Sequence, residues 1–183
     1  MTMKSYNWNE LGTDEREALL RRPALAEDEQ LQVDVERILS RVRENGDRAL
    51  RELTAEIDGI ELTEFQVGDD EFAAAETSLT TPQFAALTAA AENIRAFHEA
   101  QLSEAITVET APGVVCERVT RPIQSVGLYV PAGTAPLPST ALMLAIPAAI
   151  AGCRTRVMCT PPQKNGRAHP AVLVAAKSCG LQQ

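Results

Sequence analysis

The stretch from Gln124 to Cys153, QSVGLYVPAGTAPLPSTALMLAIPAAIAGC, constrains the fold of this chain more than any other. Val126, Leu128 and Val130 alternate with small or amphipathic residues, which is the period of a half-buried strand. Pro131, Gly133, Pro136 and Pro138 then fall within eight residues and forbid regular structure, so the spacing predicts a wide turn of fixed shape. Ser139 and Thr140 can each accept a bond from the free amides of a helix start, and Ala141 to Ile150 is a run of good helix formers stopped at Gly152. Strand, proline-rich loop and helix in that order put backbone amides and a positive dipole end at the carboxyl end of a strand. Open α/β sheets hold anionic ligands at that place.

The segment before it reads as helical. Thr13 is expected to cap a short helix through Arg22 that Pro23 stops, and a longer one from about Asp28 to Asn45 buries Leu31, Val35, Ile38 and Val42. Asp47 to Ile57 continues with Leu50 and Leu53 inward; Leu62 to Val67 is a candidate short strand, and Asp69 or Asp70 caps a helix to Ser78. Thr81 followed by Pro82 starts the longest helix, lined by Phe84, Leu87, Ala91, Ile94 and Phe97. Strands are expected at Thr107 to Thr110, Val114 to Thr120, Ser125 to Val130 and Arg154 to Cys159, with a last helix from Pro170 to Ser178. The class is therefore α/β, with a mainly helical portion over residues 1–105 and a parallel βαβα portion over residues 106–183. Another strand is expected to begin near Leu181. Two strands with two helices are only a fraction of a two-faced layer, so the α/β part reads as truncated: the front of a longer protein, or a piece that a partner chain completes.

Charge divides the chain as sharply as pattern does. Residues 1–105 carry a net −13 and residues 106–183 a net +5, within a total of −8. Arg118, Arg121, Arg154, Arg156, Lys164, Arg167 and Lys177 raise the potential around the proline-rich loop, which suits a small anionic ligand. The acidic half would repel a nucleic-acid backbone, and aromatics make up only 4% of the chain, so no nucleic-acid partner is expected. No apolar run is long enough to span a bilayer, and MTMKSYNWNELGTDERE lacks the order of a secretion signal, so the expected location is the cytoplasm with no membrane partner.

Few side chains are arranged for chemistry. The loop is neither G-x-G-x-x-G nor GxxxxGK[ST]. Tyr129, at the carboxyl end of a strand, either packs on a nucleotide ring and bonds a ribose or phosphate, or is a core tyrosine. Ser139 and Thr140 read as helix caps before ligand contacts. His98 and His169 stand alone, the first at a helix edge and the second at a helix start, and neither has a second ligand at metal spacing. Cys116, Cys153, Cys159 and Cys179 form no CxxC pair and read as buried reduced thiols. No catalytic residue and no metal ligand is assigned.

The chain resembles the N-terminal portion of the histidinol dehydrogenase family. The similar runs are RRPA at Arg21 to Ala24, VRENGDRALRELT at Val42 to Thr54, NIRAFHEAQ at Asn93 to Gln101, and ETAPGVVCERVTRPIQSVGLYVPAG at Glu109 to Gly133. APLPSTALMLAIPAAIAGC at Ala135 to Cys153 completes the set, and GLYVPAGTAPLPST is its most specific part. Where the family shows two glycines after the proline, this chain has Ala132 and Gly133. The resemblance implies a Rossmann-like, here incomplete, parallel βαβα unit. It also implies NAD-dependent, two-step oxidation of L-histidinol to L-histidine, the end of histidine biosynthesis, by a zinc-containing homodimer. Tyr129 lines up with the family's NAD-contacting tyrosine, while the family's zinc ligands and catalytic Glu-His pair lie beyond Gln183. The expected result is a chain inactive alone; the alternative is a non-catalytic fragment that serves subunit interaction or complementation.

Overall fold

The computed structural model describes residues 4–20, 29–132 and 135–181. Packing separates two compact units, Met1–Leu50 and Arg51–Gln183.

The first unit holds a short 3-10 turn at Trp8–Glu10, then α1 (Thr13–Leu20) and α2 (Glu29–Asn45). The expected end of the first helix at Arg22 and Pro23, and the start of the second at Asp28, lie outside the described residues. Arg16 holds the entry to α1: its Nε donates to the Trp8 carbonyl at 3.1 Å and its guanidinium lies 5.2 Å from the centre of the Trp8 ring. On α2 only the second half of the expected face is covered, and only in part. Ile38 and Val42 are half-buried, whereas Val35 is 47% and Leu31 59% exposed. Helix α3 (Asp47–Ile57) follows, and its covered residues are Ala49 and Leu53. Leu50, expected inward, sits one step round the helix from that i, i+4 pair and is exposed.

In the second unit the candidate strand at Leu62 to Val67 is irregular. Its backbone is claimed by a side chain instead of a neighbouring strand: the Arg51 guanidinium donates from Nε (3.1 Å) and Nη2 (3.0 Å) to the Thr63 carbonyl, and stacks over Phe65. Helix α4 (Asp69–Ser78) starts from Gly68 without a side-chain cap. Helix α5 (Thr81–Glu99) is capped by Thr80, one residue earlier than the Thr-Pro pair suggests. Gln83 Oε1 accepts from the Thr80 amide at 2.8 Å and from its hydroxyl at 3.0 Å.

Strands β1 (Ile106–Ala111) and β2 (Val114–Arg118) form an antiparallel hairpin closed at Pro112-Gly113, where Gly113 has φ +80° and a side chain would be strained. All its strand residues are exposed. Strands β3 (Ser125–Tyr129) and β4 (Thr155–Cys159) form a separate parallel pair, joined through α6 (Pro138–Ile150); α7 (Pro170–Ser178) follows. This is the expected β–α–β–α order.

The main core forms where α6 lies on one face of that pair. Leu128 and Val130 meet Ala141, Leu142, Ala145 and Ile146 of α6 and Val172, Ala175 and Ala176 of α7. Alanines at the inward positions let the helices approach the sheet, and Leu142 and Ile146, both fully buried, contribute about 1.5–3 kcal/mol each by leaving water. Leu87, Ala91 and Ile94 of α5 close this core, and Phe84 joins Phe72, Leu173 and Val174 in a second cluster between α4 and α7. Phe97, expected on the same side of α5, is 67% exposed because the last turn runs past the core, whose α5 members end at Ile94. The opposite face of the parallel pair, with Gly127, Tyr129, Val157 and Cys159, is exposed.

Candidate functional site

The carboxyl ends of β3 and β4 lie side by side. Tyr129 is opposite Cys159, and the Val130 amide extends the ladder by donating to the Cys159 carbonyl at 2.9 Å. Two loops leave this edge, one toward α6 and one, from Thr160 to His169, toward α7. Parallel strands with short crossovers bring both helix starts to the same rim.

Tyr129 is 62% exposed, which removes it from the core and turns its ring outward at the rim. Gly133 and Thr134 of the proline-rich loop lie outside the described residues. The first helix start differs from expectation. Leu137 occupies the cap position with φ −119° and ψ 67° and makes no side-chain cap bond, Pro138 is the first helical residue, and Ser139 and Thr140 already lie within the helix. Proline is pre-set for that first position and has no amide to satisfy, so it starts the helix ahead of the serine. At the second start the cap is His169, whose Nδ1 accepts from the Ala171 amide at 3.2 Å. A histidine before a proline carried that signal in the sequence. His98 pairs its Nδ1 with Gln101 Oε1 at 3.0 Å in the last turn of α5, the helix-edge role anticipated for it.

One residue of the edge was missed by sequence reasoning. Thr160 Oγ1 is buried and has no hydrogen-bond partner among the described residues. A buried hydroxyl left unbonded costs about 1–3 kcal/mol, so a ligand or chain segment that brings a bonding partner to this corner recovers that loss. A threonine before two prolines gives no hint of this, because burial is a tertiary property.

The thiols are not uniformly buried as expected. Cys116 and Cys159 are exposed, Cys153 is half-buried and only Cys179 is buried; all are free. Cys116 is on the exposed hairpin, and Cys159 faces out because the strand pleat alternates. Burial pushes the Cys179 thiol up, against a hydrogen bond from Ser178 and the charges of Arg95 and Arg156. The basic residues also divide. Lys177 pairs with Glu76 at 3.0 Å and Arg156 Nη1 donates to the Cys179 carbonyl at 3.1 Å, so neither is held at the loop. A shallow cleft of about 270 Å³ lies elsewhere, between α4, α5 and α7, lined by Phe84, Leu87 and Val174 with the Glu76–Lys177 pair.

Among the described residues no group of three or more His, Cys, Asp or Glu side chains could hold a metal ion. These residues do not form a donor set for the zinc that the resemblance implies. At this edge of the parallel pair lie the outward Tyr129 ring, the buried Thr160 hydroxyl with no hydrogen-bond partner among the described residues, and the starts of α6 and α7. Among the described residues no helix is long and apolar enough to cross a membrane.

The architecture defines a mixed α/β protein built on a parallel β–α–β unit. The family model described as histidinol dehydrogenase matches residues 20–183. Relatives include the histidinol dehydrogenases of Xanthomonas campestris pv. campestris, 50% identical over 181 residues, and Xylella fastidiosa, 51% identical over 179 residues. These alignments cover 99% and 98% of this chain and 42% of each relative. The enzyme of Colwellia psychrerythraea is 45% identical over 183 residues, again 42% of its length. A crystal structure of histidinol dehydrogenase from Elizabethkingia anophelis matches with a TM-score of 0.87 at 38% identity, over 94% of this chain and 40% of that one. The chain belongs to the histidinol dehydrogenase family. It spans about two-fifths of the length of these relatives.

Proposed function

We propose that this chain supplies the NAD-facing N-terminal portion of a histidinol dehydrogenase, an oxidoreductase that converts L-histidinol to L-histidine in the cytoplasm as a homodimer. In functional terms residues 1–105 are the helical segment and residues 106–183 the nucleotide-binding portion. The observation that carries the reading is the exposed Tyr129 at the carboxyl end of parallel β3, inside the run GLYVPAGTAPLPST. Tyr129 packs against the dinucleotide, and the amides at the start of α6 face its phosphates. NAD accepts the hydride when bound; the contribution of this chain is to hold and orient it.

Alcohol oxidation also needs a base and a dry pocket at the nicotinamide, and this chain matches only 42% of its relatives' length. Titration calorimetry with NAD on the wild-type chain and on Tyr129→Ala tests the reading. Saturable binding that the substitution weakens about tenfold, the effect of losing an aromatic contact of roughly 1–1.5 kcal/mol, supports it. Equal binding by both proteins, or none by the wild type, refutes it.

A further inference from the structure

The loop that leaves β4 at the ligand edge is held in place from another helix. Between Thr160 and His169 it folds on itself. The Gln163 amide donates to the Arg167 carbonyl at 2.8 Å, the Gly166 amide to the Gln163 carbonyl at 2.7 Å, and the Arg167 amide to Asn165 Oδ1 at 3.0 Å. At its far end the Ala168 amide donates to Glu71 Oε1 at 2.9 Å, a bond between residues 97 positions apart. Glu71 is half-buried in the first turn of α4, and its carboxylate thus sits just ahead of the start of α7. A negative charge is favoured there, because the helix dipole and the backbone donors point the same way.

Helices α4 and α7 are braced twice. Phe72 and Ala75 pack on Leu173 and Val174, and beyond them Glu76 pairs with Lys177 at 3.0 Å. The two carboxylates act at opposite ends of α7. Glu76 reaches the last turn, far from the rim, and Glu71 reaches the loop that frames it. Thr160, with its unpaired buried hydroxyl, begins that same loop.

We infer that Glu71 is a positioning residue for dinucleotide binding: it anchors the β4–α7 loop so that Thr160 and the start of α7 stay at the rim beside Tyr129. This rests on the reading of the edge as an NAD site. Glu71 acts through the loop backbone and touches no ligand.

The test uses the 183-residue chain as wild type, Glu71→Ala, Glu71→Gln and Glu76→Ala. Amide hydrogen exchange over residues 160–169 is followed without ligand, and NAD affinity is measured by calorimetry. Glu71→Ala is expected to speed exchange of the loop selectively and to weaken NAD about tenfold, which is what the lower end of a charge-assisted bond's contribution converts to. Glu71→Gln retains an acceptor oxygen and restores loop protection. Glu76→Ala removes the other brace and lowers stability, with loop exchange and NAD affinity unchanged. Wild-type loop protection in Glu71→Ala, or equal loosening in Glu76→Ala, overturns the inference whether or not NAD binds. A wild-type chain that binds no NAD refutes the functional reading of the edge, and the inference with it; unchanged loop exchange refutes the role of Glu71 alone.

Discussion

Arg156 is the charged side chain whose removal has the most readable consequence. It lies on the covered side of β4, half-buried, and its Nη1 donates at 3.1 Å to the carbonyl of Cys179, the residue that caps the carboxyl end of α7. That carbonyl is one of the groups a helix leaves unsatisfied, and the dipole makes its end negative. Replacing Arg156 with Met keeps an unbranched stem on the strand and deletes only the donor. A hydrogen bond to a charged group is worth about 1.5–3 kcal/mol, and half-burial places this one near the lower end, so Arg156→Met should lose about 2 kcal/mol. The same substitution removes a positive charge that holds the Cys179 thiol down, so its titration moves further up and its reaction with a disulfide reagent at mildly alkaline pH slows. Urea denaturation reads the first effect as a lower midpoint at an unchanged slope, and the control is Arg154→Met at an exposed neighbouring position, expected within about 0.5 kcal/mol of wild type. A loss in Arg156→Met no larger than in the control would show that water serves the Cys179 carbonyl equally well and that the sheet does not hold the end of α7.

Burial raises the Cys179 thiol, so the folded chain keeps that proton to higher pH than the unfolded chain does. The associated stability is complete below the unfolded thiol value and is lost as pH rises from there through the folded one. Thermal melts from pH 7 upward should therefore show a steeper alkaline fall for wild type than for Cys179→Ala, and parallel curves would contradict this. Gly180 has φ +76° just beyond α7, and a Cβ there would meet only Arg156 Nη2 at an ordinary 3.7 Å. Gly180→Ala should accordingly lose about 1–2 kcal/mol by urea denaturation from backbone strain alone, and a neutral result would place the glycine outside the left-handed region.

The elements with strong local signals were legible in advance. The hairpin closed by Pro112-Gly113 and the helix ended by Gly180 stand where turn chemistry and periodicity put them, within a residue or two, and the strand–loop–helix at Ser125 to Ile150 does so except that its helix starts three residues early, at Pro138. What sequence could not supply was cover. Val35 and Phe97 have the right spacing for a buried face and remain exposed, because spacing defines a face and other elements decide whether it is packed. At the edge, Tyr129 drew attention through its place in a distinctive run, while its outward position was decided only by the fold. The Glu71 bond to the β4–α7 loop and the burial of Thr160 were not legible, since the first spans 97 positions and the second is a tertiary property.

The register of the parallel pair decides which side chains reach the rim, and two substitutions test it together. Ser125 is opposite Thr155 and Tyr129 opposite Cys159, so Leu128 falls on the face under α6 and Val157 on the open one. Leu128 is 7% exposed and Val157 49% exposed. Leu128→Ala deletes core volume and should lose about 2–4 kcal/mol, while Val157→Thr exchanges one β-branched shape for another at a wet position and should stay within about 0.5 kcal/mol of wild type. A strand moved by one residue presents its whole opposite set of side chains, so the two effects cannot both persist in a shifted pairing. If Val157→Thr were the costly change and Leu128→Ala the tolerated one, both strands would have to present the opposite faces. Tyr129 would then turn toward α6, and the edge would lose the aromatic ring on which the proposed function depends.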